Sequence, residues 1–354
     1  MVLLKYSHTQ PFLLESKEVL PQFELGYQTF GRLNADKNNV IWVFHALTGN
    51  TNVADWWAGI FGAGKVLDPE YYFIVCVNMP GSCYGSIGPL SINPESGKPY
   101  YHNFPLITPR DMAGMYQLLC NKLGIQKIVL GIGGSMGGMQ LLEWSILKPG
   151  LFINQVLIAT NAQHSPWGIA FNAAQRMAIE ADQTWANKQE DAGIKGMQAA
   201  RAIAMLSYRN YHPFLQSQHE SNPNKLDGFK AESYQYYQGE KLSLRFNAFS
   251  YYALSKSMDA HHVGRNRKSL EQALSSIRAN SLVIGIESDV LFPMEEQLLL
   301  SRLIPKASFK LIDSPYGHDG FLIEAEQLNQ LIEEFMYTSG RNKNSLVNQH
   351  TLTT

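Results

Sequence analysis

The sequence predicts an α/β protein with a mostly parallel central sheet, helices on both faces and an inserted helical lid. Three observations carry this expectation. Short, nearly continuous apolar runs recur at 40–44, 72–77, 127–132, 155–159, 282–286 and 309–312, with helix-like stretches between them. A strand that is apolar on both sides belongs between two covering layers, as in parallel sheets. Between one such run and a helix-like segment stands a Gly-x-Ser-x-Gly turn, Gly133, Ser135 and Gly137. Finally, 165–264 holds no convincing core strand, yet strands bracket it on both sides.

Taken in order, the segment 23–30 alternates in polarity and ends at Gly31, which suits an antiparallel edge. The run 40–44 leads into the loop His45-Ala46-Leu47-Thr48-Gly49-Asn50. Helix signals are complete over 108–123: Thr108 as N-cap, Pro109 at the first helical position, Asp111 in the first turn and Gly124 after the end. The run 127–132 enters the Gly-rich turn and Met139 to Trp144 opens the next helix. From 165 to 264 the spacing is helical and rich in Ala, Met and Tyr, with a polar patch at 216–230, so it is expected to cover the C-terminal edge of the sheet as a lid. The runs 282–286 and 309–312 complete the sheet. Residues 338–354 are polar and aperiodic and are expected to form a flexible tail. The chain thus divides into a first core part at 1–164, a lid insertion at 165–264, a second core part at 265–337 and the tail. No internal repeat is found.

Composition bounds the function. The chain has 354 residues, 45% of them hydrophobic, enough for one large domain with an insertion. Its net charge of -1 supplies no basic field for nucleic acid or an anionic membrane. Three cysteines, Cys76, Cys83 and Cys120, lack metal-site spacing and cannot all pair, which fits a reducing compartment and neither a disulfide framework nor a zinc site. No secretory signal pattern occupies residues 1–20 and no apolar run is long enough to span a bilayer, so a cytoplasmic protein without metal is expected.

The Gly-rich turn carries the chemistry. A strand turning sharply into a helix strains the residue at the turn and needs small neighbours. The Ser135 hydroxyl is left at a helix N-terminus, where free amides favour a developing anion. The plain alternative is a glycine-rich packing turn. A serine nucleophile needs a base, and the base needs a carboxylate; on such turns the chain order is Ser, then Asp or Glu, then His. Asp289 follows the run 282–286 and His318 follows 309–312, both at strand C-terminal ends where α/β sheets place their sites. His164, His261 and His262 lack that context. Glu287, Asp313 and Asp319 compete with Asp289, whose plain reading is a loop or capping residue. The oxyanion donors expected are the amide of Met136, after the nucleophile, and that of Leu47 in the loop after an early strand. His45 is expected to hydrogen-bond loop backbone.

Beyond the turn, the chain resembles the homoserine O-acetyltransferases of methionine biosynthesis, a branch of the α/β-hydrolase fold. The resemblance spans roughly residues 20–330. It rests on HALTG (45–49), GSCYGSIGP (81–89), SINPESGKP (91–99), GGSMGGMQLLEW (133–144), the segment 158–160, IAFN (169–172), YQGEK (237–241), SDVLFP (288–293) and DSPYGHD (313–319), in family order. It implies Ser135, Asp289 and His318 as the triad, Leu47 and Met136 as oxyanion donors, and an acceptor amino acid held by Arg201, Tyr208 and Asp319. A guanidinium suits an α-carboxylate and a carboxylate suits an α-ammonium. The resemblance further implies acetyl-CoA as co-substrate, no bound cofactor, and a homodimer built through the lid. The chain departs from the family at Ser82, Ile87, Ala202 and in Arg245-Phe246-Asn247-Ala248-Phe249, next to the expected substrate region. Serine as acceptor, a succinyl donor, and a carboxylesterase or thioesterase with the same triad are the rival readings.

Overall fold

The computed structural model describes residues 2–349, with side chains to residue 339. An eight-stranded sheet forms its centre: β1 (Leu4–His8), β2 (Phe23–Phe30), β3 (Val40–Phe44), β4 (Phe73–Val77), β5 (Ile128–Gly134), β6 (Phe152–Ile158), β7 (Asn280–Ile286) and β8 (Ala307–Ile312). The spatial order is β1-β2-β4-β3-β5-β6-β7-β8. All pairings from β4 to β8 are parallel, and β2 is antiparallel to both β1 and β4. The alternating segment 23–30 is therefore antiparallel, as expected, but lies one strand in from the edge. The edge is β1, which the sequence did not announce: Leu-Lys-Tyr-Ser-His is exposed or half-buried throughout and has no apolar period.

The apolar runs are continuous because both faces of the sheet are covered. Along β3, Val40, Trp42 and Phe44 point into one core while Ile41 and Val43 point into the other, all five buried. On the first face, helices α1 (Pro109–Lys122) and α2 (Met136–Leu147) cover an aromatic cluster in which Trp42 meets Trp144 edge-on, 4.8 Å between centroids and 85° between planes. Tyr116 and Phe152 complete it. Burial of each such side chain contributes about 1.5–3 kcal/mol. The N-terminus of α1 is built as its sequence announced: the Thr108 side chain accepts from the Asp111 amide and the Asp111 carboxylate accepts from the Thr108 amide at 2.9 Å.

Between β6 and β7 the helices α3 (Pro166–Glu180), α4 (Ile194–Tyr208), α5 (Tyr211–Gln218), α6 (Lys230–Ser243) and α7 (Ala248–Asp259) are followed by the short helix Leu270–Ser275. Helices α8 (Met294–Leu303) and α9 (Ala325–Gln349), with the single helical turn Gly320–Ile323 just before α9, follow in the second core part. Leu328 and Ile332 of α9 seal the second face. The backbone of α9 continues as helix through residues 338–349 of the stretch expected to be a tail, and 350–354 lie outside the described residues.

Candidate active site

The strand β5 passes into α2 through Ser135, whose backbone takes φ 54° and ψ −127°, a left-handed φ that side chains rarely adopt. Its neighbours must be glycine for space. A Cβ on Gly133 would stand 2.6 Å from the Gly137 carbonyl carbon, and one on Gly137 would strike the Phe44 carbonyl oxygen. The turn is tied from the far side as well: the Ser135 amide donates to the Ile158 carbonyl at 2.9 Å, and the Thr160 hydroxyl donates to the Ser135 carbonyl at 2.9 Å. Thr160 had no assigned role from sequence; a hydroxyl at the end of the next strand was its only signal.

The structure brings the three expected partners into one hydrogen-bonded chain. His318 Nε2 is 2.8 Å from Ser135 Oγ, and His318 Nδ1 is 2.6 Å from Asp289 Oδ2. All three residues are buried. The second Asp289 oxygen, Oδ1, accepts from the amides of Leu291 and Phe292 at 2.8 and 2.9 Å, so the plain loop-turn reading and the partner reading are both satisfied, by different oxygens. Packing fixes the imidazole: Phe292 stacks on it at 4.9 Å and 21°, and Phe321 meets it edge-on at 5.5 Å. Burial disfavours the imidazolium, but the Asp289 carboxylate, through charge and hydrogen bond, together with the Asp319 charge outweighs it and raises the His318 pKa above its usual value.

None of the competing groups joins this hydrogen-bonded chain. Glu287 and Asp313 are exposed. His261 gives Nε2 to the Asn161 carbonyl at 2.9 Å, and burial pushes its pKa down to about 3. His164 is held 3.3 Å from the Asn172 amide nitrogen, with burial taking its pKa to about 4, and His262 Nδ1 accepts from the Gly264 amide. His45 binds loop backbone: Nδ1 donates to the Ala46 carbonyl at 2.9 Å and Nε2 accepts from the Met79 amide at 3.0 Å. Burial also lowers its pKa, to about 4, keeping the ring neutral with one donor and one acceptor. His45 thereby shapes the loop that carries Leu47. The Leu47 amide has no protein acceptor among the described residues, and the Met136 amide, first in α2, has no partner within its helix.

The C-terminal end of α4 closes over this group. The Tyr208 ring lies 5.8 Å from that of His318, and the Arg201 guanidinium carbon stands 5.4 Å from the centroid of the Tyr208 ring. Asp319 does not pair with Arg201; its ion-pair partner is Arg209 at 3.4 Å, a residue that no sequence pattern singled out. Nearby, Arg245 donates to the Thr48 carbonyl at 2.7 Å and the Tyr84 hydroxyl at 2.6 Å, so the divergent 245–249 segment does border the Leu47 loop. Within it, Asn247 caps α7 by accepting from the Ser250 amide, a task Asn and Asp perform equally well. Ile87 is buried in the core. Among the described residues no cluster of His, Cys, Asp and Glu could hold a metal ion, and Cys76, Cys83 and Cys120 are free.

The family model of the alpha/beta hydrolase fold matches residues 39–325. A homoserine O-acetyltransferase of Cyclobacterium marinum is 52% identical over 91% of this chain and 92% of its own. Among solved structures, a homoserine O-acetyltransferase from Bacillus anthracis superimposes with a TM-score of 0.89 at 24% identity, covering 95% of this chain and 98% of that one. Esterase E22 superimposes with a TM-score of 0.86, also at 24% identity, covering 95% and 100%, so the fold alone does not separate transfer from hydrolysis. The 52% identical relative, matched over nearly its whole length, decides the family: the chain belongs to the homoserine O-acetyltransferase family of α/β hydrolases.

Proposed function

We propose that this protein transfers the acetyl group of acetyl-CoA to the hydroxyl of L-homoserine through an acetyl-Ser135 intermediate, giving O-acetyl-L-homoserine for methionine biosynthesis. The observation that carries the reading is the continuous Ser135, His318, Asp289 hydrogen-bond chain at a strained strand-to-helix turn. The Ser135 proton passes to His318 Nε2 as Oγ attacks the thioester carbonyl. Negative charge gathers on the former carbonyl oxygen, against the amides of Leu47 and Met136. The C–S bond breaks, and the departing sulfur takes the proton from His318. In the second half, His318 accepts the homoserine hydroxyl proton, that oxygen attacks the acetyl-serine carbonyl, and Ser135 Oγ leaves with the proton. Kinetics of the ping-pong type follow.

Acceptance of an amino acid, and not water, is supported by the charges beside His318. Arg201, stacked on Tyr208, suits the α-carboxylate, and Asp319 suits the α-ammonium. An esterase has no use for such a pair. The lid helices exclude water from the acyl-enzyme. Exposed apolar side chains on α5, α6 and their connection, among them Tyr211, Leu215, Leu226, Tyr236 and Tyr237, support a homodimer formed through the lid. No helix among the described residues is long and apolar enough to cross a membrane, and the reading places the enzyme in the cytoplasm, without a bound cofactor, nucleic acid or membrane as partner.

A matrix of donors and acceptors tests this reading. Purified protein is mixed with acetyl-CoA or succinyl-CoA and with homoserine, serine or buffer alone, and thiol release and product mass are followed. Fast turnover is expected only with acetyl-CoA and homoserine. Equal turnover without an acceptor would make it a thioesterase, and preference for serine or succinyl-CoA would reassign its substrates.

A further inference from the structure

We propose that Arg209 is a further positioning residue for the acceptor: it orients the Asp319 carboxylate, and through it the α-ammonium group of the amino acid. The inference rests on the reading of Asp319 as the ammonium site.

Four features of the structure lead here. First, the Asp319 side chain is 18% exposed, yet its carboxylate accepts no hydrogen bond among the described residues, and Arg209 is its one ion-pair partner there. The separation of 3.4 Å is an ion pair, longer than a charge-assisted hydrogen bond of about 2.7–2.9 Å. A carboxylate has about four lone-pair sites, so this arrangement leaves room for a second cation. Second, Arg201, the guanidinium expected to face the carboxylate end of the acceptor, lies over the Tyr208 ring, and both guanidinium groups act on the one Asp319 carboxylate. A zwitterion needs one of the cations; the other is free to serve Asp319.

Third, the backbone around Arg209 is fitted to the catalytic loops. Helix α4 ends at Tyr208 and Arg209 is extended, at φ −105° and ψ 159°. Tyr208 to Asn210 rest on Gly317, where φ is +66° and a Cβ would stand 3.0 Å from the Tyr208 carbonyl oxygen and 3.2 Å from the Asn210 nitrogen. The Asn210 side chain donates to the Ser288 carbonyl at 3.4 Å, and the Ser288 hydroxyl in turn accepts from the Gly317 amide at 2.9 Å. The lid segment bearing Arg209 is thus seated on both loops, one residue before Asp289 and one before His318. Fourth, the charge balance favours the role. Burial raises the Asp319 pKa and Asp289 adds to this; Arg209, then His318 and Arg201, oppose it, and the Tyr208 ring also faces the group. Arg209 is the foremost of the influences that oppose this rise, so it favours the ionised form that an ammonium group requires.

The test compares R209Q and R209K with the wild type, reading KM and kcat for homoserine, the pH dependence of kcat/KM, and thiol release in the donor half-reaction. In R209Q the KM for homoserine should rise about 10-fold, more than any change in thiol release. Loss of the cation lets the Asp319 pKa climb, so the acid limb of kcat/KM for homoserine should move to higher pH while that of thiol release stays. R209K keeps the charge without the planar fork and should recover part of the loss. An unchanged homoserine KM and acid limb in R209Q, or R209K no better than R209Q, would overturn the proposal. Should R209Q fail to fold, R209K alone decides: a KM raised about 3-fold supports the role, and an unchanged one contradicts it. Failure of the wild type to acetylate homoserine would instead sink the reading on which this rests.

Discussion

At the scale of residues, the site is a set of groups each held by more than one partner. Asp289 divides its two oxygens between loop amides and the imidazole, and His318 is gripped by Phe292 and Phe321 as well as by its hydrogen bonds. These positions were legible in the sequence because each stands at the C-terminal end of an apolar run or in a glycine-bounded turn. The Arg209 and Asp319 pair was not legible, because it depends on how the end of α4 meets the Gly317 loop, a tertiary approach without a local signature. A pH profile follows from the raised His318 pKa. As the base, His318 must be neutral, so the rate of thiol release should fall as pH drops through a value above 6.5. Asp289→Asn removes the main influence that raises it; the acid limb should move to lower pH and kcat should fall about 10⁴-fold. A limb that does not move in this variant would mean that Asp289 is not the partner controlling His318.

At the scale of elements, capping and two-sided burial account for what was foreseen. The Thr108 to Gly124 helix formed as its termini announced, since Thr108 and Asp111 satisfy first-turn amides and Pro109 has none to satisfy, while both capping side chains also bond the distant Glu15. Strand β1 escaped notice because backbone pairing with β2, and not an apolar face, holds it. Replacing Thr108 by Ala leaves the first turn of α1 without its cap and should cost about 1–2 kcal/mol in urea unfolding, with kcat unchanged. An unchanged midpoint would mean that the Asp111 carboxylate alone secures the turn.

At the scale of the whole molecule, the sheet delivers Ser135, Asp289 and His318 from the ends of β5, β7 and β8, and the inserted helices close over them. On the proposed mechanism, the sheet supplies the nucleophile and the inserted helices select what attacks the acyl-enzyme. The helical character of 165–264 was legible from its lack of strands, while its contacts, such as Arg245 on the Thr48 carbonyl, were not. The central claim is that Ser135 carries the acetyl group between donor and acceptor. It is tested most directly by mixing enzyme with acetyl-CoA in the absence of acceptor and analysing the intact protein and its peptides by mass spectrometry. The account predicts one acetyl group on Ser135, released as O-acetylhomoserine when homoserine is added, and no such adduct in Ser135→Ala. Product formation by Ser135→Ala at the wild-type rate, or acetylation at another residue that homoserine discharges, would contradict it.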